Sequence, residues 1–181
     1  MKRVSIIGFG DHVKKNLIPA IYRSKKLSLS YVVLNTQTKV RKQDYPDLKF
    51  CEIDKFEEVL SKDNTDLIII ATNTSSHYQL SKKVIEAEFN VFCEKPLTMS
   101  LKQTEELFKL ARQKRVSIRE ICIFRYHKQY QFLSNLIKKN KDKIVRVTSA
   151  FCIPHLEENN FRYSRLKGGG ALFDLGYYPI S

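Results

Sequence analysis

Three groups of residues in this 181-residue chain have types and spacings suited to chemistry. The first is Gly8-Phe9-Gly10, followed by Asp11-His12. Glycines so placed let the backbone turn tightly and approach a phosphate, with the N–H groups of a helix N-terminus behind them. The second is Lys95, in Cys93-Glu94-Lys95-Pro96. The third is Asp174 with Tyr178, four residues apart, which on a helix share one face and can both address a cleft. A tyrosine hydroxyl ordinarily titrates near ~10, and a nearby ammonium such as that of a lysine stabilises its phenolate and makes it a more useful acid or base. Plainer readings exist for each group. The loop can be a structural turn, Lys95 a solvated side chain after a strand, and Tyr178 a packed ring with Tyr177 as its rival.

The elements that must position these groups follow from the apolar pattern. Short apolar runs alternate with amphipathic stretches over the first two thirds, the pattern of a parallel sheet covered by helices. Strands are expected at Arg3 to Ile7, Leu29 to Leu34, Asp66 to Ala71 and Asn90 to Cys93. The wholly apolar run from Leu67 suits a central strand buried on both faces. Asp54 with Glu57, and Ser100 with Gln103, read as helix capping boxes, and a further helix is expected over 76–88. Pro19 is expected to kink or restart the helix after the glycine loop. Beyond Arg115 come a strand over 116–124, a polar helix over 128–139, a strand-like run over 143–153 and a helical run from Ala171. The fold class is α/β, a doubly wound parallel sheet of Rossmann type over 1–123. The start of a sheet-rich α+β domain, incomplete, is expected over 124–181.

In that setting the glycine loop stands directly after a strand and before a helix, where a dinucleotide pyrophosphate binds. Val13 occupies the position of the third glycine and weakens the fingerprint. The second strand ends without the acidic residue that usually holds the ribose hydroxyls. Asn35, Thr36 and Thr38 stand there with Lys39 and Arg41 close behind, which favours NADP(H) over NAD(H).

Composition narrows the partners. Lys and Arg number 32 against 19 acidic residues, a formal charge of +13. The lysines are spread as helix faces usually are, without the interleaved aromatics of a nucleic-acid surface, so nucleic acid is disfavoured. No apolar run reaches the ~18 residues that a membrane span needs. The N-terminus lacks the form of a secretory signal, so a cytoplasmic location is expected. Cys51, Cys93, Cys122 and Cys152 have no metal-ligand or disulfide spacing and are expected to be buried thiols, and no metal is assigned. All six glycines fall in two segments, 8–10 and 168–176.

The loop ATNTSSH (71 to 77), the segment CEKPL (93 to 97) and GGGALFDLGYY (168 to 178), in this order, resemble the glucose-fructose oxidoreductase/inositol dehydrogenase (Gfo/Idh/MocA) family. Tyr178 stands where many members carry histidine, which resembles the tyrosine-using subgroup and, most nearly, nucleotide-sugar 3-ketoreductases. The resemblance implies an NADP(H)-dependent oxidoreductase that transfers a hydride to or from a sugar carbonyl or hydroxyl. It implies Lys95, Tyr178 and Asp174 as catalytic residues: Tyr178 protonates the forming alkoxide, Lys95 polarises the oxygen, and Asp174 orients the sugar or the lysine. Cofactor contacts are expected from Gly8, Phe9, Gly10, Asp11, His12, Asn35, Thr36, Lys39, Thr72, Asn73, His77, Glu94, Lys95 and Pro96. Asn73 departs from the family's usual Thr-Pro pair. Substrates are expected to be sugars or nucleotide sugars, and full-length members are usually homo-oligomers. Because members are about twice this long, a truncated chain is expected. The alternative reading is a non-catalytic dinucleotide-binding fragment of such an enzyme.

Overall fold

The apolar runs pair side by side into a six-stranded sheet, in a computed structural model that describes residues 1–34, 40, 42–158 and 160–180, without side chains 42, 58 and 59. The strands are β1 (Lys2–Ile7), β2 (Leu27–Leu34), β3 (Phe50–Glu52), β4 (Leu67–Ile70), β5 (Asn90–Glu94) and β6 (Ile118–Ile121). Their order is β3-β2-β1-β4-β5-β6, and the pairings β1·β2, β1·β4, β2·β3 and β4·β5 are parallel. This is the doubly wound Rossmann order, and it reverses direction between β1 and β4. Helices α1 (Ile18–Arg23), α2 (Phe56–Val59), α3 (Thr74–Glu86), α4 (Leu101–Lys114), α5 (Lys128–Lys139) and α6 (Tyr177–Ile180) complete the chain. Two compact units divide it, Met1–Glu120 and Ile121–Ser181.

The first unit owes its core to β1 and β4. Val4, Ile6, Ile68 and Ile70 are wholly buried, as side chains on both faces of a covered central strand must be. Each contributes roughly 1.5–3 kcal/mol relative to exposure. Ser5 is the polar exception, and its hydroxyl lies 2.9 Å from the Thr65 hydroxyl.

Helix starts follow local chemistry, with two departures from the sequence reading. Ser100 caps α4 as expected, its Oγ accepting from the Gln103 N–H at 3.3 Å. The reciprocal bond of the capping box is replaced, since the Ser100 N–H donates to Thr98 Oγ1 at 3.4 Å. Asp54 does not cap α2. The turn out of β3, closed by the Lys55 N–H on the Glu52 carbonyl at 3.1 Å, takes Asp54 into itself and makes Lys55 the N-cap. Pro19 acts one turn upstream of itself. It has no N–H to give, and the helix before it runs as a π-helical turn, Val13–Leu17, with the Ile18 N–H reaching the Val13 carbonyl.

The second unit keeps α5 over the expected residues. The run over 143–153 is not a strand, and the strand expected over 116–124 stops at Ile121 before a 3₁₀ turn, Ile123–Tyr126. A strand exists by pairing, and the apolar alternation of Val145, Val147, Phe151 and Ile153 has no ladder partner among the described residues. Of the four thiols only Cys51 and Cys93 are buried; Cys122 is half-buried and Cys152 exposed, because the run carrying Cys152 packs into no sheet.

Candidate active site

The glycine loop sits where the strand order reverses. Gly8 leaves β1 with its N–H donating to the Val33 carbonyl of β2 at 2.9 Å, while the Ala71 N–H donates back to the Ile7 carbonyl at 2.9 Å. These bonds set the exits of β1 and β4 side by side. Gly8 has φ +112°, and a Cβ there would lie 2.3 Å from the Ala71 carbonyl oxygen, so no other residue fits. At Gly10 a Cβ would meet nothing within 4 Å. The missing side chain at Gly10 thus serves no internal packing and leaves open backbone beside the helix start, the room a pyrophosphate needs. The residues fit a dinucleotide in this respect.

Phe9, between the glycines, turns inward. Its ring is buried edge-on against Tyr45 (5.0 Å between centroids) and Phe50 (5.3 Å), with the Lys14 ammonium 4.8 Å from its centre. Its side chain therefore anchors the loop, and only its backbone is open to a cofactor role. Asp11 and Lys15 form an exposed pair at 2.7 Å, and the lysine holds the Asp11 carboxyl below its ordinary range.

His12 and Glu94 tie the loop to the other side of the switch point. His12 Nε2 lies 3.0 Å from Glu94 Oε1, and Asn16 Nδ2 donates to His12 Nδ1 at 3.2 Å. An Nδ1 that accepts places the ring proton on Nε2, which then donates to Glu94. The other Glu94 oxygen accepts from the Lys95 N–H at 3.3 Å, and Glu120 of β6 accepts from the Leu97 N–H at 2.7 Å. Two carboxylates thus hold the backbone of the Lys95–Pro96 turn, whose peptide bond is cis.

The β4 exit is held by its own hydroxyls. Thr72 Oγ1 and Ser76 Oγ lie 2.7 Å apart, Ser76 Oγ donates to the Asn73 carbonyl at 2.8 Å, and Asn73 is the backbone N-cap of α3. His77, in the first turns of α3, is buried with its ring between two carbonyl oxygens, Pro96 O at 2.8 Å from Nδ1 and Thr72 O at 3.2 Å from Nε2. Burial pushes its pKa below the ordinary value, although the two carbonyls and the charges of Glu94 and Glu120 pull it upward.

Gly8, Phe9, Gly10, Asp11, His12, Thr72, Asn73, His77, Glu94, Lys95 and Pro96 all lie in the first unit, on its β1, β4 and β5 exits and the starts of the following helices. Asn35, Thr36, Thr38, Lys39 and Arg41 lie outside the described residues. Asp174 and Tyr178 lie in the second unit. There a π-helical turn, Leu172–Gly176, leads into α6, so both residues stay on continuous helical backbone. The Asp174 carboxylate accepts from Arg162 Nε at 2.6 Å. A Cβ on Gly169 would meet the Arg162 carbonyl at 2.4 Å, which shows how closely the glycine run lies on the Arg162 segment. Tyr178 stacks on Phe151 (4.5 Å, 15°) and meets Phe124 edge-on at 5.8 Å, while the Tyr177 hydroxyl pairs with the Cys122 thiol. Sequence reasoning missed Asn16, Glu120 and Arg162. An acid inside the strand Ile118–Ile121 was a signal for Glu120; the other two carried none.

Among the described residues no cluster of three or more His, Cys, Asp or Glu is arranged to hold a metal, and no helix is long and apolar enough to cross a membrane. Residues 2–120 match the family model GFO_IDH_MocA, described as an oxidoreductase family with an NAD-binding Rossmann fold. The dTDP-3,4-didehydro-2,6-dideoxy-alpha-D-glucose 3-reductase of Saccharopolyspora spinosa is 26% identical over 179 residues, covering 98% of this chain and 53% of its own length. A solved 3-ketoreductase from Actinomadura kijaniata, in complex with NADP and TDP-benzene, is 25% identical with a TM-score of 0.83 over 99% of this chain and 55% of its own. An aldose-aldose oxidoreductase from Caulobacter crescentus shares the fold at a TM-score of 0.83 and 18% identity, over 99% of this chain and 55% of its own. The chain spans about half the length of the curated relatives it matches.

Proposed function

The chain belongs to the Gfo/Idh/MocA oxidoreductase family with its NAD-binding Rossmann fold, and from that premise we propose that it serves an NADP(H)-dependent reduction of a keto-sugar carried on a nucleotide. The observation that carries this reading is the switch-point cradle, where Gly8 is forced by the Ala71 carbonyl and Gly10 is left open. The backbone at Gly8 to His12 would hold the pyrophosphate, and Thr72, Asn73 and the Lys95–Pro96 turn are the residues that would serve the nicotinamide end. A bound reduced nicotinamide supplies the hydride for the carbonyl carbon. By the family resemblance, Tyr178 would be the proton donor to the carbonyl oxygen, Lys95 the group that polarises it, and Asp174 the one that orients the sugar or the lysine. Within its own unit the Asp174 carboxylate is held by Arg162. The absence of a carboxylate at Asn35 and Thr36, with Lys39 and Arg41 following, favours a 2′-phosphate. The relative that carries NADP and TDP-benzene in its structure supports the same pairing of ligands.

The half-length match gives a second reading its footing: this chain binds the dinucleotide without turning over substrate. A single assay separates the two. Purified chain is given NADPH and a dTDP-linked 3-keto sugar, and NADPH oxidation is followed by absorbance. Oxidation that is lost in Tyr178→Phe supports the reductase. Saturable NADPH binding without oxidation supports the second reading, and a folded chain that binds neither NADPH nor NADH overturns both.

A further inference from the structure

His77 poses a hydrogen-bonding problem that only its protonation state can solve. Both ring nitrogens face carbonyl oxygens, Pro96 O at 2.8 Å and Thr72 O at 3.2 Å, and a carbonyl can only accept. A neutral imidazole carries one N–H, so it satisfies one carbonyl and turns a lone pair toward the other. The two carbonyls belong to different loops: Thr72 closes β4, and Pro96 follows Lys95 after β5. We propose that His77 is a proton-gated positioning residue of the dinucleotide site: neutral, it donates from Nδ1 to the Pro96 carbonyl alone, and protonated, it donates from Nε2 to the Thr72 carbonyl as well and draws the two loops together.

The surroundings define the balance. The shorter contact, at Pro96, selects the Nδ1–H tautomer for the neutral ring. The charged groups that bear on the ring are Glu94 from β5 and Glu120 from β6, and both favour the cation. Those same carboxylates hold the turn backbone at Lys95 and Leu97, so the gate and the turn share partners. Burial opposes the cation and prevails, which places the gate below the ordinary histidine value of about 6.5. Two effects of opposite sign follow. Through His77, global stability is fully present above about pH 6.5 and is lost as pH falls through the depressed folded value, because the unfolded chain binds the proton more readily. Over the same range the two loops become better tied. A residue that merely filled space would show the first effect without the second.

The link to affinity rests on the dinucleotide reading above, and the test keeps the two apart. Nitrogen-15 spectra of the histidine rings, recorded on the intact chain from pH 8 to pH 5, report the His77 tautomer, with His77→Asn and His77→Gln assigning the signal. The expected result is Nδ1 protonated throughout, Nε2 gaining a proton with a midpoint below about 6.5, and the Thr72, Asn73 and Leu97 amides moving with that midpoint. NADH binding is measured by fluorescence over the same range, since a 2′-phosphate would itself titrate near pH ~6. Affinity is expected to rise about fivefold across the His77 transition and to lose that dependence in either variant. An Nε2–H neutral tautomer, amides that ignore the ring, or pH-independent NADH affinity would overturn the gate while leaving dinucleotide binding intact. No NADH binding at any pH, with ring and amides titrating together, would overturn the dinucleotide reading and leave the latch between the loops standing.

Discussion

Gly8 and Gly10 stand two positions apart and differ in what demands them: the fold requires Gly8, whereas Gly10 is proposed to answer a ligand. At Gly8 the left-handed φ and the Ala71 carbonyl 2.3 Å from a prospective Cβ make Gly8→Ala destabilising by at least about 2 kcal/mol, read as a lowered urea midpoint. At Gly10 nothing lies within 4 Å, so Gly10→Ala is expected to leave the urea midpoint within about 0.5 kcal/mol of the parent. It is expected to weaken NADPH binding about tenfold, near 1.4 kcal/mol. Equal losses of stability in the two variants would sink this division of labour. The loop was legible in the sequence because glycine has few other uses between a strand and a helix. Arg162 was not, because its partner Asp174 lies 12 residues away and no local pattern announces such a pairing. For Glu120 the acid inside a strand was a signal, but its partner Leu97, 23 residues away, was not readable.

Among the elements, β1 and β4 carry the core and set the exits that form the site. Ile68→Ala removes a wholly buried side chain from the sheet centre and is expected to cost about 2–5 kcal/mol by chemical denaturation. A cost near that of a surface substitution would show that β4 is not central. The start of β1 is pinned by Arg3, whose backbone N–H and guanidinium both donate to the Asp66 carboxylate, at 2.8 and 2.7 Å. That arrangement holds the Asp66 carboxyl well below the usual carboxylate range. Its contribution is present above the unfolded aspartate value of about 3.9 and lost as pH falls through the folded value, so the melting temperature should fall more on acidification than in Asp66→Asn. Parallel acid profiles would remove the pair from the balance. The strands β1, β2, β4 and β5 were readable from apolar runs. The three-residue β3 was too short to carry a period, and the alternation over 143–153 yields no strand because it records a preference that only a partner strand can fulfil.

At the scale of the whole molecule, the two units differ in how they hold together. The first buries its aliphatic core, whereas in the second no apolar side chain among the described residues is buried, and Phe132, Val145 and Val147 are at least 70% exposed. Hydrogen exchange is therefore expected to protect β1 and β4 most strongly and to reach the amides of 128–158 early, since little apolar burial opposes local opening. Uniform protection across both units would contradict that division. The relatives matched are about twice as long, so turnover belongs to a test with substrate, whereas the residues proposed to bind the dinucleotide lie in the first unit. The most direct measurement is a thermal-shift and fluorescence titration of the chain with NADPH and with NADH. Saturable binding, tighter for NADPH and weakened in Gly10→Ala without loss of stability, is the predicted result. A folded chain that neither dinucleotide stabilises, or binding that Gly10→Ala leaves unchanged, would contradict the assignment of the switch-point cradle as the cofactor site.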